Sequence, residues 1–199
     1  MIKTLALIGS PRKNGNSKKI VNQILKGIKS IKRDIEIHEI FLAKQNIQPC
    51  IACEGCHQRP GCIIRDDMQK LYPKFNQADL IIVASPVYFN SVSAQLKGMI
   101  DRCQAIWASK YILQNSIIDR KKYRLGIFVA TAGNPEGIIE FEPSIRVIDI
   151  FFKSINTRYY KNFFVANTDK KPVAFRPEIL KQAYQLGIEM VTEFLKEDI

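Results

Sequence analysis

Two kinds of hydrophobic pattern take turns along the chain. Residues 4–9 (TLALIG) form a short, almost unbroken apolar run that stops at a glycine, and residues 80–84 form another, bounded by Asp79 and Ser85. Runs of this length without polar alternation suit strands covered on both faces of a parallel sheet. Between them Ile20, Val21, Ile24, Leu25 and Ile28 recur every three or four residues, which predicts a helix from Ser17 to about Ile31. Residues 35–41 alternate and predict a second strand. Asp66 or Asp67 can cap a helix that reaches about Asn76, because a carboxylate there accepts the free N–H groups of the first turn. The third strand, residues 80–84, passes into an expected loop over residues 85–89. A helix is then expected over residues 92–106, a fourth strand over 123–130, a helix over 143–154, a fifth strand over 159–166 and a closing helix over 177–196. Strands alternating with helices in this way predict an α/β fold, a parallel sheet with helices on both faces. No repeat, linker or break in composition divides the chain, so residues 1–199 are expected to form one domain.

Composition narrows the class. Of 199 residues, 46% are hydrophobic and 25% charged, which is globular and not disordered. No apolar run approaches the roughly 20 residues of a membrane-spanning helix. Met1-Ile2-Lys3 leads straight into the first strand with no apolar leader region, so a cytoplasmic protein without a membrane partner is expected. Lys and Arg number 30 against 19 Asp and Glu, a net charge of +11. Much of the excess falls at Lys18, Lys19, Lys26, Lys29, Lys32 and Arg33, on or just after the first helix, where a solvated face is expected. No helix-turn-helix or aromatic-interleaved basic motif points to nucleic acid.

The junction between the first strand and first helix reads Gly9-Ser10-Pro11-Arg12-Lys13-Asn14-Gly15-Asn16-Ser17. A helix N-terminus offers unpaired N–H groups and partial positive charge to a phosphate. Ser10, Ser17 and Asn16 add hydroxyls and an amide, and Arg12 can grip phosphate oxygens with two parallel bonds. The loop lacks the Gly-Lys-Ser/Thr of a Walker A motif, and two glycines are too few for a dinucleotide fingerprint.

Four of the five cysteines crowd into Cys50, Cys53, Cys56 and Cys62, in a Cys-rich loop expected over about residues 43–65. In a reducing compartment such crowding points to metal or redox chemistry, not disulfides. The two-residue gaps let successive thiolates surround one [4Fe–4S] cubane, and Pro60-Gly61 supplies a turn that returns Cys62 to the same cluster. Zinc, or a cluster-free protein whose thiols are free or paired, remain open at this point. Cys103 is expected to be a packing residue and His57 an exposed loop histidine, while His38 falls in the second strand. Trp107 is either buried or the cover of a partner subunit's cofactor.

The loop GSPRKNGNS, the segment SPVYFNSVSAQLKGMIDR over residues 85–102, and Thr131-Ala132-Gly133 after the fourth strand together resemble the flavodoxin-like NAD(P)H-dependent FMN reductase superfamily. The cysteine cluster is similar to that of the iron–sulfur flavoproteins within it. The resemblance implies a doubly wound sheet of five parallel strands in the order 2-1-3-4-5, with FMN at the strand ends where the order reverses. It implies that Ser10, Arg12, Asn16 and Ser17 hold the phosphate. Pro86, Val87, Tyr88 and Phe89 would line the isoalloxazine, Asn90 and Ser91 its polar edge, and Thr131, Ala132 and Gly133 the other side. It further implies electron transfer from a ferredoxin through the cluster, or hydride transfer from NAD(P)H, and a homodimer or homotetramer. The alternative is a cluster-free NAD(P)H-dependent FMN or quinone reductase. No side chain is singled out as an acid, base or nucleophile.

Overall fold

The computed structural model describes residues 1–31, 34–135 and 141–197, so Lys32 and Arg33 lie outside the described residues. In chain order the elements are β1 (Ile2–Ile8), α1 (Asn16–Ser30), β2 (Ile35–Phe41), α2 (Gly55–Gln58), α3 (Met68–Gln77), β3 (Leu80–Tyr88) and β4 (Ser91–Val92). They continue with α4 (Ala94–Arg102), α5 (Gln104–Tyr111), β5 (Leu125–Thr131), α6 (Glu142–Ser154), β6 (Arg158–Val165) and α7 (Pro177–Glu197). Five strands pair in parallel in the order β2-β1-β3-β5-β6, and β4 pairs antiparallel with β3 alone. The expected 2-1-3-4-5 order of five parallel strands is therefore present, and the short β4 makes a sixth strand that the pattern did not predict.

Each inner strand sends alternate side chains to opposite layers. Leu5, Leu7, Ile81, Val83, Phe128 and Ala130 pack under α3, α4 and α6, against Phe75, Met99 and Phe151. Ala6, Ile8, Leu80, Ile82, Ile127 and Val129 pack under α1 and α7, against Ile24, Ile28, Met190 and Phe194. Burial on both faces explains why these strands read as unbroken apolar runs. The helices α1 and α7 approach through two glycines. A Cβ at Gly27 would lie 2.0 Å from the Tyr184 carbonyl oxygen, and one at Gly187 would lie 2.1 Å from that of Ile24.

Three expectations change. Residues 85–88 are strand, not loop: β3 runs on through Pro86, which pairs with Thr131 at the very end of the β3–β5 ladder, where a missing N–H costs little. Phe89 and Asn90 then turn the chain with φ of 49° and 57°, the paired left-handed residues of a tight hairpin into β4. The helix expected over 92–106 divides at Cys103. Tyr72 donates its hydroxyl to the Arg102 carbonyl at 2.9 Å, Cys103 N–H bonds back to Ile100, and α5 starts afresh. Lys18 is not on a solvated face; it is buried beside Phe41, with its ammonium on Asn22 and Glu39. Within the Cys-rich loop, a 3-10 turn at Leu42–Lys44 and the short α2 add local structure. Among the described residues no helix is long and apolar enough to cross a membrane.

Candidate functional site

A cleft of about 210 Å³ opens at the carboxyl ends of β1, β3 and β5. It is lined by Ser10, Arg12, Gly15, Asn16, Ser17, Pro86, Val87, Tyr88, Thr131, Thr168 and Asp169. Segments far apart in sequence thus converge where the strand order reverses. Gly15 precedes α1 in extended backbone and no side chain caps the helix, so the first-turn N–H groups are left for a ligand. Ser17 Oγ and Thr131 Oγ1 share a buried hydrogen bond of 2.8 Å that ties α1 to β5. Ser10 Oγ accepts the Arg12 N–H at 3.2 Å and shapes the loop, leaving the Arg12 side chain exposed at the rim. Asn16 has one half committed: its Oδ1 accepts the Val173 N–H at 3.1 Å, so its Nδ2 remains as donor. Donors, a helix start and an apolar wall at Pro86 and Val87 fit a molecule with an anionic tail and a flat apolar head.

Not every sequence-predicted residue lines this cleft. Ala132 is buried and Gly133 half-buried beside it, while Phe89, Asn90 and Ser91 sit at the hairpin tip. Phe89 is fully exposed, so it is not a core residue. Thr168 and Asp169 were missed by sequence reasoning. They follow β6 in a polar Asn-Thr-Asp turn, and a turn after the last strand on the same edge as the others is the signal that could have found them.

The four clustered cysteines border a second cavity of about 460 Å³, together with Ile51, His57, Ile63, Ile64, Gln104 and Ala105 among others. All five cysteines are free thiols. Burial pushes the Cys56 thiol up, and its neighbours Cys62, Cys50 and Cys53 push it further. Among the described residues no three His, Cys, Asp or Glu side chains converge on a point where a single ion would sit. The four thiols line one cavity instead, and thiolates are soft donors of the kind that iron–sulfur clusters take. Ala52 and Glu54 adopt left-handed backbone, with φ of 52° and 55°, which curls the chain between Cys50 and Cys56.

Around this loop lies a buried ion pair. Arg102 and Asp66 have side chains 0% and 1% exposed and meet at 2.6 Å. Burial works to raise the Asp66 carboxyl, but bonds from Arg102 and from the Gln48 and Met68 N–H groups outweigh it and hold the carboxyl below its ordinary range. Asp67 holds the N-cap position of α3 without a capping side-chain bond, and Asp66, one residue before it, accepts the Met68 N–H on Oδ1 at 3.0 Å. Cys103 is buried as expected, and burial pushes its thiol up. His57 lines the cysteine cavity and is partly covered, while His38 lies 2.8 Å from Glu36. Trp107 is 40% exposed and tilts against Tyr111 at 5.4 Å, so it is not a buried core residue.

Residues 2–164 match the family described as NADPH-dependent FMN reductase. The chain belongs to this family. Within it, the chain belongs with the iron–sulfur flavoproteins. It is 37% identical over 116 residues to an iron–sulfur flavoprotein of Methanosarcina thermophila, covering 58% of this chain and 60% of that protein. It is 33% identical over 152 residues to one of Methanocaldococcus jannaschii, covering 76% of this chain and 71% of that protein. The chain spans 60%, 53% and 45% of the lengths of the first three curated relatives it matches. Among solved structures, an NAD(P)H:quinone oxidoreductase from Methanothermobacter marburgensis superposes with a TM-score of 0.71 at 16% identity, covering 94% of each chain. A flavone reductase gives 0.75 at 15%, covering 99% of this chain and 64% of that one. At such identities these two show the shared flavodoxin-like fold.

Proposed function

We propose that this protein is an FMN-dependent oxidoreductase that also holds one [4Fe–4S] cluster on Cys50, Cys53, Cys56 and Cys62, moving electrons between a reduced donor and an acceptor. The observation that carries this reading is that four thiols border one cavity at the far end of α4 from the cleft. Ser93, which starts α4, bonds the Gly9 carbonyl at 2.8 Å, while Asp101 at its other end lines the cysteine cavity. Nine helical residues span about 13 Å. FMN would supply a centre that exchanges a hydride or single electrons, and the cluster one that exchanges single electrons.

In this reading the chain's own residues bind and orient. Arg12 and the uncapped start of α1 take the phosphate, with Ser10, Asn16 and Ser17 beside them. Thr131 orients Ser17. Pro86, Val87, Tyr88 and Phe89 would line the isoalloxazine, Asn90 and Ser91 its polar edge, and Thr131, Ala132 and Gly133 the other side. The four thiolates hold the cluster. Residues 1–199 act as a single FMN-binding domain in a cytoplasmic homodimer or homotetramer, with no membrane or nucleic-acid partner. The donor is NAD(P)H or a small acidic protein such as a ferredoxin, which a net charge of +11 attracts at a rate that falls with added salt.

The test is FMN, iron and acid-labile sulfide per chain after anaerobic purification and reconstitution. About one FMN with stoichiometric iron and sulfide supports the reading. FMN without iron replaces it by the cluster-free NAD(P)H-dependent FMN or quinone reductase.

A further inference from the structure

The cysteine loop does little to hold itself. Cys50, Ile51, Ala52, Cys53 and Glu54 are all exposed, and α2 is a single turn. Its shape is imposed from outside, by the last residue of α4. Arg102 Nη1 donates to the Gln48 carbonyl at 2.8 Å, and Nη2 to the Ile64 carbonyl at 3.3 Å. Gln48 stands two residues before Cys50 and Ile64 two residues after Cys62, so one guanidinium joins both ends of the cysteine segment. Asp66 completes the closure. It takes both Arg102 nitrogens, at 2.6 and 3.2 Å, and the Gln48 N–H at 2.9 Å. Gln69 Nε2 adds bonds to the Cys62 and Ile64 carbonyls at 3.1 and 2.6 Å. The Arg102 Nε–H is buried and has no acceptor among the described residues.

We infer that Arg102, with Asp66 as its counter-charge, is a positioning residue that closes the cysteine loop for the cluster and sets a fixed positive charge beside Cys62. This rests on the cluster reading above. Two properties of the group support it. A planar fork can bridge two carbonyls and a carboxylate at once, which an ammonium cannot. Closing the neck in advance also removes most of the loop entropy that ligand binding would otherwise have to overcome. The charge has a separate consequence: a cation near a ligand sulfur favours the more negative, reduced state of a cluster, so its loss makes reduction harder.

The experiment compares wild type, Arg102→Lys, Arg102→Gln and the double variant Asp66→Asn/Arg102→Gln. The double variant leaves no unpaired buried charge and guards against a single variant that fails to fold. Three quantities are read on the full chain: amide exchange over residues 46–66 before reconstitution, iron and FMN per chain after it, and the cluster's reduction potential. Arg102→Lys should exchange roughly 10- to 100-fold faster at the neck, the range for losing bonds to a charged group. It should also retain less iron, with FMN and potential unchanged. Arg102→Gln and the double variant should lose iron while keeping FMN; any cluster retained in Arg102→Gln should have a more negative potential, and in the double variant, which removes both charges of the pair, a potential near that of wild type. Wild-type exchange and iron in the double variant, or a wild-type potential in Arg102→Gln, would overturn the inference. Parallel loss of FMN and iron would overturn it too, by making Arg102 a support of the whole fold. Wild type without iron after reconstitution overturns the cluster reading instead, and amide exchange then still decides whether Arg102 closes the loop.

Discussion

The cleft and the cysteine pocket occupy opposite ends of α4 and are built by opposite means. The cleft takes its walls from the ends of β1, β3 and β5, and its position follows from the strand order. Those strands are buried on both faces and fix where the cleft opens. The pocket takes its donors from one contiguous, mostly exposed segment and its shape from Arg102, Asp66 and Gln69 outside that segment. A site assembled from many strand ends tolerates the loss of one contact, whereas a loop closed at a single neck does not. Changes in the cysteines and their neck should therefore be nearly all-or-none, and changes in the cleft graded.

The sharpest break in the comparison comes from Cys53→Ser. With one of four ligands gone, iron and sulfide per chain should fall close to zero while FMN stays near one, because no flavin-cleft residue belongs to the loop. Cys103→Ser should leave iron at the wild-type value, since its buried thiol packs against Met99 and does not border the pocket. Equal iron loss in both variants would show the ligand set to be wrong. Loss of FMN in Cys53→Ser would show that the two regions are not independent.

Next in size is the cleft's exposed cation, Arg12. Arg12→Ala removes a charge-assisted bond worth about 1.5–3 kcal/mol, or roughly a 10- to 100-fold weaker FMN affinity. Riboflavin, which lacks the phosphate, should bind both proteins alike in a fluorescence-quenching titration. Equal weakening of both ligands would remove Arg12 from the phosphate site.

What could be read in the sequence follows the same division. The alternation of strands and helices was legible in the hydrophobic pattern, whereas the strand order and the cleft followed from the resemblance carried by residues 9–17, 85–102 and 131–133. Thr168 and Asp169 escaped because a polar turn has no periodicity to flag it. The extension of β3 escaped because Pro86 looks like an end of structure when it is read without its partner Thr131. The break at Cys103 escaped because its cause is Tyr72, thirty positions earlier in the chain. The thiols were legible by spacing alone, but their clamp was not. Arg102 shares a helix with Leu96, Met99 and Ile100, and only the folded chain shows that this charge is buried with them.

A smaller effect belongs to the hydroxyl pair. Thr131→Val leaves Ser17 without its buried partner, and Ser17→Ala does the converse. Each should cost about 1–3 kcal/mol of stability by denaturant titration, and the double variant less than the sum, because it leaves no unsatisfied group. FMN affinity should fall only a few-fold in each. A loss as large as that of Arg12→Ala would mean that these hydroxyls, and not the guanidinium, carry the phosphate.

The smallest effect is confined to acid, and it separates the neck from the cleft by pH. Burial works to raise the Asp66 carboxyl, but Arg102 and two backbone N–H groups hold it below the ordinary value near about 3.9. A carboxyl whose folded value lies below its unfolded one contributes stability that is complete above the unfolded value. That contribution is lost as pH falls through the folded value. Closure of the neck should therefore be constant from pH 7 down to roughly 4.5 and weaken only below about 4. The measurement is amide exchange over residues 46–66, corrected for the intrinsic pH dependence of exchange, in wild type and in Asp66→Asn. The variant should be less protected throughout and show no step in acid, because an amide has no proton to gain there. Loss of wild-type protection already between pH 7 and 5 would point to another group at the neck and would leave Asp66 only its bond to the start of α3.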